Sequence, residues 1–428
     1  MPRILLTFSL YNFGLTTMMW ANLYEEVVDN FGRAVVTGIG VLAANGKGRH
    51  EFWETLLEGR SGIGPITLFN AEDLPCRVAG EVPDFDPSEH LDSKMRPKRM
   101  ARSAQLAVVS AQEALVDAGI TSCELRSQDT LPVVLGVCTS SMDVLGKRPS
   151  PFTSSASLPN ASASAIGYLY DIQAKLITVS NACVSGLDAI ALATSMIRAG
   201  DADIVLAGGA DASITRYVIE TMLRCKKCST MNEEPERASC PFDKRRDRGV
   251  MAEGAGIVVL ENLDHARARG AKLYAEVLGH FGCADPQEGD EGSGLLRSMQ
   301  GALVNSGTQI EAIDFISAHG PSDCDMDIVE TRMIKEVFHD RAYGVPVSSI
   351  KGVTGCPMGA GGAHQVIAGA LTLKNQMLPP TANLELPDEH CDLDYVPLTP
   401  RFADVSRLLI NAHGIGRGNA SMVLKKAS

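Results

Sequence analysis

The chain has 428 residues, of which 45% are hydrophobic and 21% charged, an ordinary globular composition with enough length for two core-sized units. Its formal net charge of −12 argues against nucleic-acid binding, because phosphate neutralisation needs a basic face. No apolar run approaches the roughly 20 residues that a membrane span needs. The 11 cysteines follow no paired framework spacing, so we expect a soluble, cytoplasmic protein in a reducing compartment.

The first 32 residues differ in character from the rest. Arg3 precedes a mostly apolar run through Trp20, loosely like a signal sequence, but Ser9 and Asn12 interrupt that run and no clear small-residue cleavage site follows. We therefore interpret residues 1–32 as an N-terminal extension of undetermined origin.

Beyond this extension, strand-like and helical runs alternate along the chain. Residues 35–40 predict a first strand, residues 103–117 predict a helix that Gly119 ends, and residues 133–137 and 204–207 predict two further strands. Such alternation is typical of a layered α/β protein in which helices pack on sheets.

A segment rich in Asp, Glu and Gly at residues 283–293 divides the chain into unequal parts, residues 33–282 and residues 283–428. In the second part, residues 315–318 predict a strand with His319 at its carboxyl end. Ligands of open α/β sheets bind at such strand ends.

Cys183 lies between an apolar run, residues 176–179, and a segment with helical apolar spacing that opens at residues 184–186. This arrangement predicts a strand-to-helix turn with a thiol at its tip. A helix N-terminus favours a thiolate, and its N–H groups can hold an oxyanion when the thiolate attacks a thioester carbonyl. Alone, however, a cysteine is more often a small buried hydrophobe.

Several ordered motifs carry a resemblance to a known family. They comprise residues 181–186 around Cys183, residues 241–243, 246–247 and 253–256, residues 318–320 followed by Asp327, Glu330 and Thr331, residues 349–362, and the glycine-rich residues 411–420. From about residue 33 to residue 424 the chain resembles the β-ketoacyl-acyl carrier protein synthases, the condensing enzymes of fatty-acid and type II polyketide assembly. The resemblance implies a thiolase-like fold with two related, layered α-β-α-β-α halves.

The same resemblance implies the chemistry. Cys183 would take an acyl group from a carrier thioester, with its own backbone N–H and that of Ile415 as the oxyanion hole. His319 would hydrogen-bond the carbonyl of a malonyl thioester and stabilise the enolate formed as carbon dioxide leaves. Lys351, paired with Glu330 and near His319, would act as an electrostatic support.

The departures from the family pattern concern the same pocket. Cys356 stands where the family has its second catalytic histidine, and a thiol donates only a weak hydrogen bond. His413 stands where the family usually has an apolar aromatic residue, and we consider it a possible replacement donor or else a histidine packed behind its loop. Ile415 stands at the gatekeeper position, usually phenylalanine.

The resemblance also implies the partners. Substrates would arrive on the phosphopantetheine of a separate acyl carrier protein, and no further cofactor or metal is expected, since the C-x-x-C at Cys225 and Cys228 has no second pair. A homodimer is expected, with a heterodimer with a second ketosynthase-like subunit as the other possibility. The expected carrier-binding residues are a basic cluster, otherwise read as a solvated face: Lys94, Arg96, Lys98, Arg99 and Arg102.

The sequence is compatible with three functions. The first is a decarboxylating β-ketoacyl synthase. The second is an acyltransferase or non-decarboxylative condensing enzyme, in which Cys183 is acylated but the missing imidazole suppresses decarboxylation. The third is a non-catalytic partner subunit, against which the presence of Cys183 argues.

Overall fold

The computed structural model describes residues 32–121, 124–125, 130–145, 149–286 and 291–428, so that the extension predicted at residues 1–32 lies outside it except for its last residue. The described strands are β1 (Ala34–Ala43), β2 (Gly46–Lys47), β3 (Gly64–Pro65), β4 (Val78–Ala79), β5 (Leu131–Gly136), β6 (Ala174–Val179), β7 (Ile204–Ala212), β8 (Glu253–Asn262), β9 (Ala275–Ala284), β10 (Phe315–Ser317), β11 (Val347–Ser348), β12 (Met377–Leu378), β13 (Arg401–Phe402), β14 (Arg407–His413) and β15 (Gly418–Lys426). The described α-helices are α1 (Arg49–Glu58), α2 (Pro87–His90), α3 (Arg102–Ala118), α4 (Met142–Leu145), α5 (Thr153–Ala156), α6 (Ala161–Tyr170), α7 (Ser185–Arg198), α8 (Arg216–Arg224), α9 (Leu263–Ala268), α10 (Ser293–Asn305), α11 (Met326–Phe338), α12 (Lys351–Thr354) and α13 (Gly361–Asn375).

The main sheet consists of two halves with the same strand order. The first half runs β6-β5-β7-β8-β1 and the second runs β11-β10-β14-β15-β9. If the strands of each half are numbered along the chain, both halves follow the order 3-2-4-5-1. The two halves meet where β1 pairs antiparallel with β9. This repetition confirms the two related halves that the sequence predicts.

Helices cover both halves and also fill the space between them. Helices α3 and α6 pack on the first half, and α10 packs on the second with α11 against it. Helices α7 and α13 contact each other and strands of both halves. Their apolar side chains, among them Ile190 and Ile367, lie in the largest buried cluster. The result is the five-layered α-β-α-β-α arrangement of a thiolase-like fold.

The individual elements follow from the sequence. The helix predicted for residues 103–117 is confirmed as α3, and Gly119 ends it in a left-handed conformation with φ of 68°. The acidic segment predicted to divide the chain begins at the end of β9, the first strand of the second half. No helix in the described ranges has the length and apolar character needed to cross a bilayer.

Candidate active site

Cys183 lies in the turn between β6 and α7, as the sequence predicts, and only 6% of its surface is exposed. The preceding Ala182 has a φ of 49°, which turns the chain sharply and presents the thiol at the start of the helix. Gly414, from the loop after β14, packs against this turn. A Cβ at Gly414 would lie 3.2 Å from the backbone nitrogen of Cys183, so a larger residue there would push the two loops slightly apart.

A buried carboxylate holds the surroundings of this turn together. Asp211, at the end of β7, accepts hydrogen bonds from the backbone N–H groups of Cys138 (2.8 Å), Thr139 (3.0 Å) and Ser140 (2.8 Å). It also accepts one from the N–H of Gly359 at 2.9 Å. One side chain therefore fixes two separate turns.

The reactive residues predicted from the sequence line one cavity of about 240 Å³. The ends of β6, β10 and β14 and the loop after α12 bring Cys183, His319, His413 and Cys356 to it, and Ile415 lies at its edge with 46% of its surface exposed. Lys351 and Glu330 are buried behind His319. Residues from both halves of the chain are thus needed to build the site.

Met358 is a part of this site that the sequence analysis did not single out. Its Sδ atom lies 3.7 Å from Sγ of Cys183, and its backbone has a φ of 46° although it is not glycine. The strained turn directs a large, flexible side chain onto the nucleophile. Met358 therefore limits the space beside an acyl group on Cys183.

His319 is held by two neighbours. Nζ of Lys351 lies 3.1 Å from Nδ1 of His319 and also donates a hydrogen bond to the His319 carbonyl oxygen. The Glu330 carboxylate accepts the backbone N–H groups of His319 (2.9 Å) and Gly320 (2.8 Å). Lys351 therefore bonds to His319, while Glu330 holds the backbone around it. The pairing of Lys351 with Glu330 expected from the resemblance is electrostatic, since burial raises the pKa of Glu330 and the charge of Lys351 is among the effects that oppose this rise.

These contacts determine how the His319 ring is protonated. Burial, followed by the positive charge of Lys351, lowers the pKa of His319 well below its usual range, so the ring is neutral. The Lys351 amine is a donor, which makes Nδ1 of His319 the acceptor and leaves the proton on Nε2. His319 can therefore donate a hydrogen bond to a carbonyl or enolate oxygen in the cavity.

Cys183 and Cys356 titrate as a pair. Interaction with Cys183 lowers the pKa of Cys356 to about 6. Burial opposes this shift, and the positive charge of Lys351 adds to it. Interaction with Cys356 and then burial raise the pKa of Cys183, whereas the nearby backbone N–H of Ile415 opposes this rise. One thiol therefore loses its proton readily, and the other keeps its proton as long as the first is charged.

His413 also faces the cavity, and its ring meets that of His319 edge-on with 5.9 Å between centroids. Its Nδ1 lies 2.7 Å from Oδ1 of Asn419 on the neighbouring strand β15. The Asn419 amide nitrogen donates to the Arg417 carbonyl at 3.0 Å, which identifies Oδ1 as the atom facing the ring. His413 is therefore a ring tied into the sheet at the edge of the cavity.

The basic cluster behaves as two groups. Lys94, Arg96, Lys98 and Arg99 are exposed. Arg102 instead forms an ion pair at 2.6 Å with the fully buried Glu253. The expectation that Arg102 binds a carrier is corrected, because its guanidinium is committed to a carboxylate inside the protein.

The comparisons with known proteins agree with this architecture. The model for the beta-ketoacyl synthase N-terminal domain matches residues 32–266, and that for the C-terminal domain matches residues 275–385. The chain is 37% identical over 409 residues to the 3-oxoacyl-[acyl-carrier-protein] synthase 2 of Synechocystis sp., covering 92% of this chain and 98% of the relative.

Two solved structures extend the likeness to the fold. The ishigamide ketosynthase/chain length factor superposes with a TM-score of 0.86 at 32% identity, covering 93% of this chain and all of the other. A type II polyketide synthase ketosynthase, solved bound to a hexaketide and in complex with its acyl-carrier protein, has a TM-score of 0.82 at 28% identity, with 93% and 100% coverage. With its two matched domains, repeated half-sheets and Cys183 at the turn before α7, the chain belongs to the β-ketoacyl synthase family.

Proposed function

We propose that this chain is a β-ketoacyl synthase that joins an acyl group on Cys183 to a malonyl unit carried by a separate acyl carrier protein. The observation that carries this proposal is the cavity itself. It brings together a thiol at a helix N-terminus, a backbone N–H close to that thiol and a neutral histidine with a donating Nε2 around one small space.

The first step is acyl transfer to Cys183. The Cys356 thiolate accepts the Cys183 proton, and the Cys183 sulfur then attacks the thioester carbonyl carbon. The oxygen becomes an oxyanion that the backbone N–H groups of Cys183 and Ile415 hold. The carbon–sulfur bond to the carrier breaks, and the carrier thiolate takes the proton from Cys356 as it leaves.

The second step forms the carbon–carbon bond. The bond between the malonyl α-carbon and its carboxylate breaks, carbon dioxide leaves, and the electron pair forms an enolate whose oxygen accepts the Nε2–H bond of His319. The enolate carbon attacks the Cys183 thioester, and the tetrahedral intermediate collapses with release of the Cys183 thiolate, which takes a proton from water. The product is a β-ketoacyl group on the carrier.

Charge complementarity supports the carrier as partner. Lys94, Arg96, Lys98 and Arg99 form an exposed basic patch suited to an acidic protein. A flexible phosphopantetheine arm would then deliver the thioester to Cys183.

Within the described chain, β6 pairs only with β5, and its free edge, together with the exposed Tyr168 and Leu176, suits a dimer interface.

Acyl transfer without decarboxylation is the second candidate, and Cys356 favours it. A thiolate there would repel an enolate, whereas acylation of Cys183 does not need an imidazole at this position. A non-catalytic partner subunit is disfavoured, because Cys183 is both present and placed at a helix N-terminus.

The deciding experiment follows three products together by mass spectrometry. The full chain is incubated with an acyl thioester and malonyl-carrier, and acylation of Cys183, carbon dioxide release and β-ketoacyl-carrier are recorded. We expect all three in the wild type and in Cys225→Ala, which changes an exposed cysteine, and neither the acyl-enzyme nor the β-ketoacyl product in Cys183→Ala. Stable acyl-Cys183 without carbon dioxide would replace condensation by acyl transfer, and no acylation would reject both.

A further inference from the structure

The two histidines of the cavity have opposite hydrogen-bonding roles. The Lys351 amine faces Nδ1 of His319, so that ring carries its proton on Nε2 and donates into the cavity. Nδ1 of His413 faces the amide oxygen of Asn419, which can only accept. A neutral His413 therefore carries its proton on Nδ1 and has a lone pair on Nε2.

The surroundings of Asn419 show which of its side-chain atoms faces His413. The Asn419 amide nitrogen donates to the Arg417 carbonyl, so Oδ1 is the atom left for His413. The described residues include no hydrogen-bond partner for Nε2 of His413, and the ring lines the cavity that holds Cys183. Nε2 is thus the ring nitrogen left to meet a ligand.

We propose that His413 is a general base, and that this site removes a proton from the α-carbon of an acyl thioester that has no carboxylate to lose. The inference rests on the proposed function, because it uses the same acyl-Cys183 and the same donor, His319. It adds an activity for which decarboxylation is not required. The ligand class is an acyl thioester with α-hydrogens.

The step balances without any external reactant. The Nε2 lone pair of His413 takes the α-proton, and the C–H electron pair forms the enolate, whose oxygen His319 Nε2–H holds. The enolate carbon then attacks the carbonyl of acyl-Cys183, and the tetrahedral oxyanion bonds to the N–H groups of Cys183 and Ile415. Collapse breaks the carbon–sulfur bond, and the departing Cys183 thiolate takes the proton from His413.

The placement of the two rings suits one of them as hydrogen-bond donor and the other as proton acceptor. With 5.9 Å between their centroids and an interplanar angle of 69°, they border the cavity from two directions, one as donor and one as acceptor. The Asn419 contact also steadies the cation that forms, since Oδ1 then accepts from a charged N–H.

The test measures α-proton exchange in heavy water. The full chain is incubated with acetyl- and butyryl-pantetheine in D2O, and deuterium at the α-carbon is followed by mass spectrometry. We expect exchange well above buffer in the wild type and a loss of about 100-fold or more in His413→Gln and His413→Phe. His50→Gln, which changes an exposed histidine on α1, should exchange at the wild-type rate.

A chemical rescue separates a base from a structural residue. Free imidazole should restore exchange in His413→Ala, whereas it cannot repair misplaced packing. Absence of exchange in a wild type whose Cys183 is acylated, or wild-type exchange in His413→Gln, would overturn the proposal. Carbon dioxide release from malonyl-carrier, measured in parallel, reports the proposed function separately, so the two can fail independently.

Discussion

Nζ of Lys351 lies 3.1 Å from Nδ1 of His319, and both residues are buried. This contact fixes the proton of the neutral imidazole on Nε2, the nitrogen that remains for a substrate oxygen. Lys351 is therefore a positioning residue, which acts on the substrate through His319.

Replacing Lys351 by methionine should separate the two half-reactions. Lys351→Met removes the partner of Nδ1, so we expect condensation to fall by about 100-fold while Cys183 is still acylated. Single-turnover acylation and condensation rates measure the two steps. Lys244→Met, which changes an exposed lysine, is the control, and an equal loss in both steps would contradict a positioning role.

Restoring an imidazole at residue 356 should increase decarboxylation. Cys356→His supplies a stronger hydrogen-bond donor to the enolate than a thiol, so we expect carbon dioxide release from malonyl-carrier to rise by about 10-fold or more. Cys356→Ala removes the thiol without supplying a donor and serves as the control. A rise of the same size in Cys356→Ala would show that relief of repulsion, rather than a new donor, is responsible.

The thiol pair predicts a pH profile. Because the pKa of Cys356 is lowered to about 6, the pair carries a negative charge above that pH and loses it as the pH falls through it. Alkylation by iodoacetamide should therefore rise through about pH 6 in the wild type. In Cys356→Ser the buried Cys183 must ionise by itself, so the inflection should move to higher pH. Peptide mass spectrometry locates the label, and an unmoved inflection would refute the coupling.

The Arg102–Glu253 pair predicts a stability effect. Arg102→Ala leaves the fully buried Glu253 carboxylate without its cation, so the free energy of unfolding should fall by about 3 kcal/mol or more. Arg96→Ala, at an exposed position in the same cluster, should change it by less than about 0.5 kcal/mol. Urea unfolding measures both values, and similar losses would contradict the distinction.

The free edge of β6 predicts an assembly interface. Leu176→Lys places a charge on a strand edge where 38% of the leucine is exposed, so we expect a dimer to dissociate into single chains. Light scattering after size-exclusion chromatography measures the mass. Val304→Lys, on the outer helix α10 where 73% of the valine is exposed, should leave the mass unchanged. A dimeric Leu176→Lys would place the interface elsewhere.

The sequence predicted the features that depend on local pattern. Alternating strand and helix signals predict the layers, and the apolar run before Cys183 predicts the turn at the start of α7. His319 at the end of β10 follows in the same way. These features need only the residues next to one another along the chain.

Contacts between distant residues were harder to predict. Arg102 and Glu253 are 151 positions apart, and nothing in the basic run around Arg102 shows that one of its members faces inward. The contact of Met358 with Cys183 spans 175 positions and depends on a strained turn that a methionine does not signal. The role of His413 likewise depends on Asn419, whose position across the strand pair appears only once β14 and β15 are in register.

Asp211 joins the turn at residues 138–140 to the turn at residue 359 through a single carboxylate. The two turns beside the nucleophile therefore cannot change their positions independently of each other. A substitution that displaces one turn will also displace the other, because both are hydrogen-bonded to Asp211. We therefore expect a change of acyl preference to require matched substitutions in both turns, with Asp211 kept.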